Sequence, residues 1–496
     1  MAKLNKPIYT DEEWSIPRME KVFSAGLKIA EDKYKLDTYD NVFEIITSKR
    51  MIENYVTHGL PEFYTHWSFG KHFTQMWKQY NRAEMGLAYE IVINTNPCIN
   101  YLMENNTMSL MSLTELHAGI GHNNFFKNNY LFQDNTQAGF IREYCAFADK
   151  FIKKCEYLYG NWAVEQVLDL AHMLSSSSLT FKRIKIKNFE EEQIDEYRKI
   201  WQRHLDGTKE DLDKISKENP VYRQVDKYIY KMSKNKHIYP LNDVLYFFEK
   251  LPTIPVWKRE IFRVVRIINN YFFPQIMTKL NNEAWATTWH YTLCHDLWKN
   301  GDIPDFSWLN ILESHTNVIA EPTTLRRDTS TTSFNPYWLG FNLYKDIKRA
   351  CLEPVASDYK YLPHIAGNTD WLAVWKDAAY LNSDESLVRN YLSPTLMKKL
   401  KIAIARIDSN KDYIEIVGSH EEEHFETTRN NLADTYQLIN KFPQLIIKDY
   451  DDSCSKLVMG YLPYKDRGLH SNRDRDWILG MIRLVTGLTV TWTGCN

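Results

Sequence analysis

The segment Glu115-Leu-His117-Ala-Gly-Ile-Gly-His122-Asn123-Asn124-Phe125-Phe126 constrains the fold of this chain more than any other stretch. It sits in a region of helical periodicity, yet two glycines lie inside it, and glycine is costly in a helix interior. His117 and His122 are five residues apart. On a regular α-helix that spacing separates two side chains by about 140°, too far for a shared metal. Gly119 and Gly121 permit a break or a one-residue π-bulge, which brings positions five apart onto one face. The alternative is a helix C-terminus carrying one capping histidine.

A second cluster, Asn281-Asn282-Glu283-Ala284-Trp285-Ala286-Thr287-Thr288-Trp289-His290, places Glu283, Thr287 and His290 on one helical face. Glu283 and His290 are about 10 Å apart along an ideal helix axis, so one is expected as a direct ligand and the other behind it. Desolvation among tryptophans is expected to shift both groups. The alternative is a buried Glu-His pair. Two histidines on one helix and a glutamate on a later one outline a gluzincin, with zinc as the expected ion. Ala118 stands where an H-E-x-x-H motif places its general base. Glu90, Glu115 or Glu143 would have to take that role. His66 and His315 are supporting candidates.

A literal H-E-x-x-H occurs at His420-Glu421-Glu422-Glu423-His424. No glutamate follows Glu426 to act as a third ligand, and Thr427 and Asn430 replace the metzincin glycine and histidine. An acidic first helical turn is the simpler reading. Cys98, in Asn96-Pro97-Cys98, reads as a buried thiol more readily than as a nucleophile. The G-x-S-x-G, P-loop and G-x-G-x-x-G motifs are absent, and the paired E-x-x-H motifs of a di-iron bundle are not present.

Composition narrows the classes. Lys plus Arg is 61 and Asp plus Glu is 63, so no global field gathers nucleic acid; the small basic stretch Lys182-Arg183-Ile-Lys185-Ile-Lys187 is the exception. The seven cysteines form no Cys-x-x-Cys pair, which points to a reducing cytoplasm. No signal-peptide stretch and no apolar run long enough to span a bilayer is present.

The periodicity predicts a mainly α protein. Met19–Lys33 and Leu131–Leu174 read as helical, and Tyr89–Asn94 as a short strand or helix segment. Ile261, Val264, Val265, Ile268 and Phe272 form an apolar stripe that Pro274 is expected to end or kink. A charged helical excursion is expected over about 183–240. Within the last hundred residues, the order from Tyr413 onward is β-α-β-β-α-β, predicting a small ferredoxin-like α+β domain. The expected division is 1–400 and 401–496.

Taken together these segments resemble the SpoVR family, named for stage V sporulation protein R. The resemblance is carried by His66-Trp67-Ser68-Phe69-Gly70-Lys71-His72-Phe73, Gly86-Leu-Ala-Tyr-Glu90-Ile-Val-Ile-Asn94, Gly121-His122-Asn123, Asn282-Glu283-Ala284-Trp285-Ala286 with Trp289-His290, His315-Thr316-Asn317-Val318 and Asn335-Pro336-Tyr337. It is nearest to the longer members of Gram-negative bacteria and phages. Ala284 stands where the family usually has glycine, adding one methyl beside Glu283.

The family name implies a role in the spore cortex, a modified peptidoglycan. Members in organisms that never sporulate imply a broader, stress-linked role beside a PrkA-type serine kinase and a von Willebrand A-like protein. The resulting expectation is a zincin-like helical core that binds a divalent metal, zinc first, through His117, His122 and Glu283. Glu90, Glu115 and His290 are the candidate catalytic groups. His66, His315, Lys71 and Asn123 are expected behind the ligands or against substrate. The expected reaction is hydrolysis of an amide in a cell-wall peptide. The rival expectation is a non-catalytic assembly or regulatory protein of the kinase complex, whose His/Glu cluster is purely structural.

Overall fold

A computed structural model describes residues 6–57, 59–60, 63–82, 89–179, 198–199, 201–203, 205–209, 243–320, 334–407, 414–418, 423–437, 444–451, 453–461 and 472–493. The chain is mainly helical, with three small sheets among these residues. It divides into two compact units, each drawn from three stretches: 1–59, 72–139 and 274–437 form the first; 60–71, 140–273 and 438–496 the second.

In the first unit, the helix Lys279–Asn300 is the central pillar. Trp285, Ala286, Trp289, Leu293 and Leu297 are fully buried, and polar Asn281, Thr287 and His290 are buried with them. A helix apolar on one stripe and polar on another, yet buried all round, implies that its polar groups have designated partners. Its start is held from outside. Asp384 accepts from the backbone N–H groups of Leu280 and Asn281 at 3.1 and 2.9 Å, supplying an anionic cap at the positive end of the helix. Asn281 donates to the carbonyls of Ala378, Ala379 and Asn382 and accepts from the Tyr344 hydroxyl at 2.7 Å. The helix ends at Gly301, whose φ of +90° is left-handed backbone that favours glycine.

Helices Pro336–Leu352 and Met108–Leu116 pack against this pillar. A three-stranded sheet completes the surroundings of the site. The strand Cys98–Met103 lies in the middle, parallel to Asn41–Ile46 and antiparallel to Glu90–Ile93. Tyr89–Asn94, ambiguous from its pattern, is therefore a strand over Glu90–Ile93. Full burial of Cys98–Met103 on both faces accounts for its lack of alternation.

In the second unit, helices Ile141–Tyr159 and Asn161–Leu174 form a hairpin turned at Gly160 (φ +87°). The apolar stripe Ile261, Val264, Val265 and Ile268 is buried on the helix Val256–Met277. Pro274 does not end this helix, which runs on to Met277. Arg263 and Arg266 of the same helix reach buried Glu249, whose neighbour Lys250 also contacts it.

The elements expected in the last hundred residues occur as strands Ile404–Ile407, Ile414–Gly418, Leu445–Asp451, Lys456–Tyr461 and Thr489–Trp492, with helices Phe425–Asp434 and Asn472–Thr486. Their pairing differs from the ferredoxin-like expectation. Ile414–Gly418 pairs with Ile404–Ile407, while Leu445–Asp451, Lys456–Tyr461 and Thr489–Trp492 form a sheet of their own. The order of elements was legible, but order does not dictate which edges meet.

The charged excursion over 183–240 and the basic stretch at Lys182–Lys187 lie almost wholly outside the described residues, as does His420. His424 precedes the helix Phe425–Asp434. Among the described residues no helix is long and apolar enough to cross a membrane.

Candidate metal centre

His117–His122 is a π-helical turn between the α-helix Met108–Leu116 and the short helix Asn123–Asn128. Its wider turn sets residues five apart side by side. The two imidazole rings stand edge to face with centroids 4.6 Å apart. The glycines explain why the turn fits here. A Cβ on Gly121 would lie 2.6 Å from the Ala286 Cα, so the turn presses directly on the backbone of the central helix. A Cβ on Gly119 would lie 2.7 Å from Phe23 and 2.8 Å from Phe43.

That close approach delivers Glu283. Its Oε2 lies 3.5 Å from His122 Nε2 and 3.7 Å from His117 Nε2, and the three ligand atoms all fall within 4.8 Å of one another. These separations are too long for hydrogen bonds. They match the spacing of donors around one ion, since two ligands at about 2.1 Å and a tetrahedral angle stand about 3.4 Å apart. Glu283 Oε2 has no hydrogen-bond partner among the described residues.

The outer ring nitrogens define the proton positions. His122 Nδ1 donates to Asn282 Oδ1 at 2.9 Å. Burial, and then the neighbouring His117, push the His122 pKa down to about 4, so the ring is neutral and its Nε2 presents a lone pair. A lone pair and a carboxylate oxygen then face each other, an arrangement that a cation between them relieves. Burial disfavours the charge on His117, but the carboxylates of Glu283 and Glu90 outweigh it and raise its pKa. Burial acts against the Glu283 carboxylate as well. His122, His117 and the nearby Tyr337 hydroxyl overcome it and hold the carboxyl at about 2.

Behind His117 runs a chain of histidines. His117 Nδ1 meets His290 Nδ1 at 2.8 Å, and His290 Nε2 meets His315 Nδ1 at 2.9 Å. His117 must donate if its Nε2 is to bind a metal, so each later ring accepts at Nδ1 and carries its proton on Nε2. His290 and His315 are neutral: burial depresses both, with the other histidines adding to the effect on His290 and Lys345 to that on His315.

Glu90 enters from the edge of the sheet, with Oε1 3.7 Å from His117 Nε2. It does not join the convergent trio. Burial raises its pKa, offset by His117 and reinforced by Glu283. A buried carboxyl beside the trio, but not part of it, is suited to holding and passing a proton.

Other expected residues are placed elsewhere. Glu115 is buried, with Oε1 making no hydrogen bond, and burial alone raises its pKa well above the usual range. It makes no hydrogen bond or ion pair to the trio, and its charge is felt by the Cys294 thiol. Two residues before His117, it faces the other side of its helix. Asn123 is fully engaged with the backbone of Tyr39 and the side chain of Asn41, tying the π-turn to the strand Asn41–Ile46. His66 and Lys71 belong to the second unit. Lys71 Nζ lies over the Trp67 ring. Cys98 is a buried thiol bonded to the Ile93 carbonyl, its pKa raised by burial. The Ala284 methyl faces Gly340 on the neighbouring helix, which has no side chain to oppose it.

Asn282 and Tyr337 were not singled out as site residues beforehand. Asn282 had one available signal: adjacency to Glu283 in a helix whose start is polar and buried. Tyr337 reaches Glu283 from the helix Pro336–Leu352, and no spacing in sequence announces that.

A mainly helical protein with a clustered His-His-Glu trio beside a second buried glutamate is thereby defined. The chain belongs to the SpoVR family: the family model described as SpoVR like protein matches residues 13–441. It is 37% identical over 486 residues to the uncharacterized protein YcgB of Escherichia coli (strain K12), covering 96% of this chain and 92% of that one. No solved structure matches.

Proposed function

We propose that this protein is a metal-dependent amide hydrolase whose ion, zinc in the first instance, is held by His117 Nε2, His122 Nε2 and Glu283 Oε2. The observation that carries the reading is the neutral His122 Nε2 facing the unpartnered Glu283 Oε2 at 3.5 Å. A purely structural Glu-His network would hold these atoms at about 2.7–3.0 Å with a hydrogen between them.

A divalent ion bound by this trio supplies a Lewis acid that polarises an amide carbonyl. The chain's own groups supply the rest. Asn282 and His290 take the Nδ1 protons of His122 and His117, which turns both Nε2 atoms towards the position an ion would occupy. The Tyr337 hydroxyl, beside Glu283, helps to keep its carboxyl ionised. Glu90 takes a proton from water as the water oxygen bonds to the carbonyl carbon. It returns that proton to the amine nitrogen as the C–N bond breaks. The substrate class, peptides of the peptidoglycan type, comes from the family resemblance.

The test is metal content by mass spectrometry on the purified full-length protein and on His122→Ala, beside release of free amine from peptidoglycan peptides. The reading expects zinc that is lost in His122→Ala, and amine release that follows the metal. Unchanged metal in both His122→Ala and Glu283→Gln, with matched folding by circular dichroism, overturns it.

A further inference from the structure

The second unit contains a cluster that the proposed hydrolysis does not use. Glu165, Asp169 and His172 follow one another at spacings of four and three on the helix Asn161–Leu174, so they share a face. His66 meets that face just ahead of the helix Trp67–Asn81. His66 is 6% exposed, and its Nε2 lies 3.1 Å from Asp169 Oδ1 and 3.4 Å from Glu165 Oε2. Ligand atoms from His66, Glu165 and Asp169 all fall within 4.8 Å of one another.

Everything around this trio orients it. The outer nitrogen of His66, Nδ1, bonds Ser68 Oγ at 2.6 Å, and Nε2 shares a hydrogen bond with Asp169 Oδ1 that a cation between them would replace. Trp67 Nε1 donates to Asp169 Oδ1 at 2.7 Å. His172 packs its ring 4.7 Å from that of His66 and bonds the Tyr64 hydroxyl at 3.0 Å. Phe69 closes the side, 5.7 Å from the His66 ring.

One oxygen of the cluster is left over. Glu165 Oε2 is shielded from solvent and makes no hydrogen bond among the described residues. Neither Glu165 nor Asp169 forms an ion pair with lysine or arginine there. The cluster therefore sets two acidic side chains one helical turn apart beside a buried imidazole, with one shielded carboxyl oxygen left unbonded.

We propose that His66 Nε2, Glu165 and Asp169 form a second divalent-cation site, built for a harder ion than the His117 centre. Two oxygens and one nitrogen favour manganese(II) relative to a two-nitrogen, one-oxygen set. The outer partners of the trio, Ser68 on His66 and Trp67 on Asp169, match the way ligands are oriented in metal sites.

The test titrates manganese(II) into the full-length protein carrying His122→Ala and Glu283→Gln, following the free-ion signal by electron paramagnetic resonance. That background removes the first trio, so failure there and failure here are read separately. The proposal expects about one equivalent bound, and at least tenfold weaker binding when Glu165→Gln or Asp169→Asn is added. Glu165→Gln in the otherwise unaltered chain guards against misfolding, since that side chain is partly exposed; it should lower manganese stoichiometry by about one equivalent. No binding in a folded parent, or the same binding after both carboxylate changes, overturns the proposal.

Discussion

His122 Nε2 and Glu283 Oε2 stand 3.5 Å apart, with the His122 proton turned away to Asn282. The residues lie 161 positions apart in the chain, and two local devices bring them together. One is the π-turn, which turns His122 to the same side as His117. The other is the absence of a side chain at Gly121, which lets that turn press on Ala286, one helical turn from Glu283.

Gly121→Ala tests the close approach. The added methyl meets the Ala286 backbone at 2.6 Å, and a helix backbone cannot yield as a side chain tip can. Overpacking of this kind costs about 1–3 kcal/mol. The expected outcome is a lower melting temperature together with loss of the metal bound by the trio. A variant with unchanged stability and unchanged metal content would show that the contact is loose.

Asn282→Ala removes the acceptor for His122 Nδ1 without touching a ligand. The ring then loses its preferred tautomer and orientation, and metal affinity should fall about 10–100-fold. Competition with a chelator of known affinity measures this directly. Asn282→Asp, which keeps the acceptor, should recover most of it.

Much of this centre was legible because the relevant physics is local. Glycines between histidines five apart are difficult to reconcile with an ordinary helix, and the observed π-turn places both rings together. The spacing of Glu283 and His290 sets them at different places without saying which lies where: Glu283 faces the Nε2 atoms, and His290 stands behind His117. What escaped was tertiary. Glu90, Glu115 and Glu143 were all candidates with nothing to choose between them: Glu115 is close to His117 in sequence but faces away on its helix, whereas Glu90 arrives from a strand. Tyr337 comes from a helix more than 50 residues after Glu283. The strands near the C-terminus were recognisable one by one, yet their division into two sheets depends on edges that no periodicity encodes.

Glu90→Gln separates proton transfer from metal binding. Glu90 is outside the trio, so metal content should stay near that of the unaltered protein. The rate of amine release should fall by about 100-fold or more, the usual contribution of a positioned acid-base group. KM should change much less than kcat. Loss of metal instead would make Glu90 a ligand.

Glu249 yields a prediction away from either candidate site. Burial opposes its charge, but Lys250, Arg263 and Arg266 outweigh that and hold the carboxyl at about 2. Because this lies below its unfolded value, the folded protein binds fewer protons between the two pKa values. The stabilisation is present above about pH 4.5 and is lost as pH falls towards 2. Across a gap of that size it amounts to about 3 kcal/mol. Denaturant unfolding of the full-length protein between pH 6 and pH 3 should therefore show falling stability. Glu249→Gln leaves buried Lys250 and Arg263 and half-buried Arg266 without their shared partner, so it should be less stable at pH 6 and show a shallower decline with acid. Parallel pH profiles for the two proteins would mean that Glu249 is not the group responsible.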